Sequence, residues 1–67
     1  MNSPLSTTQA ALRGREVSAM TDAQVLDWIH ACETMARRED TPPEARQAWM
    51  KARVRAESEI RKRRHRG

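Results

Sequence analysis

A chain of 67 residues, 37% hydrophobic and 33% charged with net charge +4, can build at most one small domain around a marginal core. It has no Phe or Tyr and few β-branched residues, which argues against a sheet, while Ala, Arg, Glu, Gln and Met dominate and favour helix. One cysteine excludes an intramolecular disulfide framework, no apolar run approaches a membrane span, and the first residues lack a signal-peptide layout. A cytoplasmic protein with no membrane partner is expected.

Residues 1–20 carry the weakest pattern. The stretch STTQ at 6–9 has capping-box spacing and Gly14 is a natural stop, so a short helix over 7–13 fits. Leu5, Leu12 and Val17 are the anchors open to it, and the segment reads as a flexible arm with one transient or docked turn.

A helix over 22–38 comes next. Thr21 is placed to cap it, Gln24 to reach back, and Met20 and Val25 to staple the entry. Val25, Trp28, Ile29, Cys32, Met35 and Ala36 follow helical spacing along one stripe, with Leu26 at its flank.

A tight connection at 39–41 leads to a second long helix, over about 42–63. Thr41 is expected to cap it, Pro42 to take its first position and Glu44 to complete the box. Its stripe is Ala45, Ala48, Trp49, Ala52, Ala56 and Ile60. Folding the pair sets Trp49 near Cys32 and Ala36, and Trp28 near Ala52 and Ala56, giving an all-α antiparallel helical hairpin. Two stripes make a small core, and Met50 and Val54 lie opposite the second one. Self-association into a helical bundle is therefore expected, with Leu26, Trp28, Trp49, Met50 and Val54 as partner or dimer interface residues.

Charge is uneven along the chain. Residues 21–40 hold five acidic and two basic groups, whereas residues 41–67 hold nine basic and three acidic. Arg61, Lys62, Arg63, Arg64 and Arg66 crowd the end, beyond the last apolar anchor at Ile60, and 64–67 form a basic tail. With Arg53 on the same helix, these cations are candidates for binding DNA or RNA phosphates without sequence preference. They also favour a helix C-terminus in their own right, as ordinary solvated charges do. No Asn or Gln stands among the tail cations to read adenine, and no aromatic residue is interleaved to stack on bases. A helix-turn-helix fits poorly, because the second helix begins PPEARQAW, stiffened by proline and acidic.

Catalysis finds little support. His30 and Cys32, two apart on a helix, turn to different sides and cannot share a metal. His65 has no carboxylate close in sequence, and the only glycines are Gly14 and Gly67, so no phosphate-cradling loop exists. No catalytic residue, metal or cofactor is expected. Two functions remain: a non-enzymatic regulator binding nucleic acid, or an adaptor or inhibitor, of the kind a phage or mobile element encodes, that blocks a larger protein through an exposed helix face.

Overall fold

The computed structural model describes residues 5–65, and among them every regular element is helical. Helix α1 spans Thr7–Leu12, a 3-10 turn covers Val17–Ala19, α2 spans Asp22–Arg37 and α3 spans Pro43–His65. Helices α2 and α3 pack together as the hairpin, and α1 lies against α2.

Each helix start has a local cause. Ser6 accepts from the Gln9 backbone N–H at 3.1 Å while Gln9 Oε1 accepts from the Ser6 N–H at 3.0 Å. Thr21 and Gln24 repeat this reciprocal box at 3.1 and 2.9 Å, and Met20 and Val25 on either side of it are both buried. Gly14 has φ +85°, a left-handed conformation open to glycine, and turns the chain after α1.

The connection departs from the expected caps. Helix α2 stops at Arg37, and α3 opens with Pro43 rather than Pro42, whose carbonyl accepts the Arg46 N–H at 2.8 Å. Thr41 is buried, and its hydroxyl donates to the Met35 carbonyl at 2.6 Å. It thus satisfies an orphan carbonyl at the end of α2 instead of an orphan N–H of α3. Arg46 closes the turn from the other side, donating to the carbonyls of Arg38 and Thr41. Arg38 forks onto Asp40 at 3.0 and 3.1 Å, a hydrogen bond that holds the Asp40 carboxyl below its usual range.

One core cluster joins Leu5, Leu12, Met20, Val25, Trp28, Ile29, Ala31, Cys32, Trp49 and Ala56, with Val17, Met35, Ala36, Ala45, Ala52 and Ile60 packed at its margin. The first segment is therefore a docked element: Leu12 is almost wholly buried beside hairpin residues. Ala48 is exposed, although it was expected in the α3 stripe. Trp28 and Trp49 are both buried, so they belong to the hairpin's interior and are withdrawn from the expected partner surface. Their rings meet each other, with centroids 5.6 Å apart and planes tilted 54°, a geometry that adds roughly 0.5–1.5 kcal/mol to the burial itself. Arg13, just after α1, lies 5.2 Å from the Trp49 ring centroid and covers its outer side as a cation–π partner.

Two predictions follow from this core. Replacing Trp28 or Trp49 by Ala should cost about 3–5 kcal/mol, enough to leave most molecules of this size unfolded, and thermal melting by circular dichroism measures it. Burial pushes the Cys32 thiol up to about 11, outweighing the nearby Arg53 charge, which lowers it. Iodoacetamide at pH 8 should accordingly leave Cys32 unmodified in the folded chain and label it readily in guanidinium. Rapid labelling of the folded chain would show that this part of the core is open.

Candidate nucleic-acid interface

Helix α3 places its cations in three different environments. Arg63 is the most constrained, with a side chain only 22% exposed. Its Nη1 donates to Asp22 Oδ1 at 2.6 Å and its Nε to Glu59 Oε2 at 2.9 Å, while Nη2 donates to the Val17 and Met20 carbonyls at 3.1 and 2.8 Å. The planar guanidinium thus joins the last turns of α3 to the 3-10 turn and to the start of α2. The hydrogen bond to Asp22, then the one to Glu59, pushes its pKa further up. Arg63 therefore acts as a tie within the fold and is removed from the expected phosphate-binding set. Core interactions also do not end at Ile60, because the helical stripe continues one turn further through this arginine.

Arg53 occupies the second environment. It is partly buried and stands 3.5 Å from Glu57 Oε1, its position i+4, which offsets its charge. Its Nε is buried with no hydrogen-bond partner among the described residues.

The third environment is open solvent. Arg61, Lys62 and Arg64 are exposed, and none forms an ion pair among the described residues. Arg66 lies outside the described residues. Two further cations, Lys51 and Arg55, share this exposed, unpaired character and were not singled out from the sequence. Their signal was available: at 100° per residue, Lys51, Arg55 and Lys62 fall within about 40° of one another. From Gln47 onward this outward stripe reads Gln47, Lys51, Arg55, Ser58, Lys62 and His65, with no carboxylate.

From Lys51 to Arg64 the cations span about 20 Å of helix. The nearby carboxylates do not cancel them, because Glu57 is engaged by Arg53 and Glu59 by Arg63. The remaining expected interface residues divide cleanly: Leu26, Met50 and Val54 are exposed at 47%, 48% and 59%, unlike the two tryptophans. Among the described residues no three His, Cys, Asp or Glu side chains are grouped to hold a metal ion, and no helix is long and apolar enough to cross a membrane. Compared with known proteins, the chain matches no family model, no curated sequence and no solved structure, so its function rests on this geometry.

The two kinds of arginine should separate on mutation. Arg63→Ala should lower the melting temperature clearly, and Arg63→Lys should restore it only in part, since a point charge cannot fork onto four acceptors. Arg61→Ala, at an exposed position, should stay within ~4 °C of the parent. A chain ending at Ile60 should melt lower than one ending at Arg64. Equal melting of those two chains would show that the Arg63 bonds contribute nothing to stability.

Proposed function

We propose that the chain is a small, non-enzymatic cytoplasmic regulator that binds nucleic-acid phosphates through the outward side and basic end of α3, displayed on a dimeric helical hairpin. The observation that carries this reading is the outward row of Lys51, Arg55 and Lys62, exposed and without ion pairs among the described residues, with Arg61 and Arg64 exposed on the neighbouring side of the same helix. Cations needed only to stabilise a helix C-terminus would be confined to the last turn, because the dipole effect falls off within it. Lys51 and Arg55 lie two turns or more before that, so the helix dipole does not account for them.

The row spans about 16 Å from Lys51 to Lys62, against which duplex DNA presents roughly one charge per 1.7 Å of axis. Rigid spacing on a helix keeps the charges apart and in register with an extended polyanion. The stripe's polar groups, Gln47 and Ser58, do not supply a base-reading pattern, and no aromatic residue faces outward to stack. The binding is therefore of the sequence-independent, counterion-releasing kind, with DNA or RNA as ligand.

Fluorescence anisotropy with unrelated duplex DNA and RNA tests this. The outward row of Lys51, Arg55 and Lys62 neutralises about three phosphates, a log–log salt slope near ~−3 on duplex DNA. The double variant Lys51→Gln, Arg55→Gln should flatten that slope by about 2 while leaving the melting temperature unchanged. Absence of binding by the full chain at low salt would overturn the proposal. An unchanged slope in the double variant would return the site to the C-terminal cations alone.

A further inference from the structure

The α2–α3 layer is covered on one side only. On that side Gln9 Nε2 donates to Asp27 Oδ1 at 3.0 Å, Arg13 lies over Trp49, and Arg63 reaches the Val17 and Met20 carbonyls. On the opposite side no other described element covers the layer. There Leu26 and Ile29 of α2 and Glu57, Ile60, Arg61 and Arg64 of α3 line a shallow groove. Helical spacing carries the same side of α3 back through Val54 and Met50. Of the three exposed large apolar side chains of the described residues, Leu26 lines this groove, and helical spacing sets Met50 and Val54 in line with Glu57 and Arg61 along it.

We propose that a second copy of the chain covers this side, with α3 of each copy lying antiparallel along α2 of its partner about a two-fold axis parallel to the helices. The proposal rests on the reading that the chain forms dimers and specifies the surface and the orientation. A face two helices wide and as long as α2 measures about 24 by 20 Å. Its projected area of about 480 Å², smaller than the accessible surface of the side chains that cover it, is of the same order as the ~800 Å² each partner contributes to a specific interface. Such a pair closes into a four-helix bundle and removes the exposed apolar side chains from water.

Charge selects the orientation. Toward this side α2 carries Asp22 and, by helical spacing from Leu26 and Ile29, Glu33, while Asp27 is held on the covered side by Gln9; α3 carries Arg61 and Arg64 there beside Glu57. With the two-fold axis across the helices, α3 would lie on α3 and α2 on α2. About the midpoint of the Met50–Arg64 stripe, Glu57 would then oppose itself and Arg53 would oppose Arg61. Like charges directly opposed are unfavourable. With the axis along the helices, the bond between Arg63 and Asp22 fixes the heights: ten residues back from Arg63, Arg53 stands level with residue 32 of α2, next to Glu33. Arg53, Arg61 and Arg64 then run past the partner's acidic helix. The outward stripe of Lys51, Arg55 and Lys62 points elsewhere and stays free in both copies.

Sedimentation equilibrium of the full chain at micromolar concentration, combined with disulfide trapping, tests the proposal. The expected mass is twice 7.7 kDa. Val54→Glu, at an exposed position, should raise the dimer dissociation constant at least tenfold with the helical circular dichroism intact. For orientation, chains bearing Glu57→Cys are mixed with chains bearing Leu26→Cys and oxidised; the buried Cys32 stays unreactive. A mixed cross-linked dimer supports the proposed arrangement, while linkage of Glu57→Cys chains to one another overturns it. A full chain that stays at 7.7 kDa overturns the dimer reading itself. A dimer indifferent to Val54→Glu keeps that reading and overturns this surface.

Discussion

The contact between Trp28 and Trp49 fixes the geometry on which the remaining interactions depend. In a chain without Phe or Tyr, these two indoles are the only large rings available, one on each long helix. Their meeting at 5.6 Å sets the distance and rotation between α2 and α3, because the neighbouring α3 residues Ala45, Ala52 and Ala56 are too small to hold the helices apart. Rotation of α3 is then no longer free. It turns Arg63 toward the start of α2, leaves Lys51 and Arg55 facing solvent, and offers the outer side of Trp49 to Arg13.

A core this small is supplemented by side chains that serve two elements at once. Gln9 accepts from the backbone N–H that opens its own helix and donates to Asp27 across to α2. Thr41 belongs in position to the connection but closes the Met35 carbonyl in the last turn of α2. Arg63 makes the same economy at the other end of the hairpin, satisfying two carbonyls of the 3-10 segment and two carboxylates. Each of these bonds contributes modestly to stability, but leaving such groups buried without partners would cost more. Polar ties of this kind position α1 and the 3-10 turn where, among the described residues, Leu5, Leu12, Met20 and the margin residue Val17 are the apolar anchors.

The hairpin was legible because its signals are local. Capping boxes, Pro42–Pro43 and the 3.6-residue stripes all act within one or two turns, and Thr21 with Gln24 matches its pattern in full. Thr41 defeated the same logic, since a threonine before a proline can serve either flanking helix and only the three-dimensional turn decides. The tryptophans read correctly as hairpin anchors, yet their size also suggested a partner surface, which their mutual burial removes. The bonds of Arg63 within the fold are hidden from the sequence for a comparable reason. Its carbonyl partners lie 43 and 46 residues away, and nothing in a run of five nearby cations marks one as different.

The cations of the tail divide among different surroundings. A run such as RKRRHR looks like a single basic unit, but a helix distributes successive residues about 100° apart, so neighbours in sequence face different surroundings. Arg63 turns inward to the fold, Arg61 and Arg64 border the apolar side with Leu26 and Ile60, and Lys62 joins the outward row with Lys51 and Arg55. One stretch of like charge therefore contributes to three surfaces. Substituting the run as a block would disturb all three together, and the resulting loss could be mistaken for evidence about any one of them. Changes at Lys51 and Arg55, remote from both the Arg63 tie and the apolar side, isolate the outward surface from the other two.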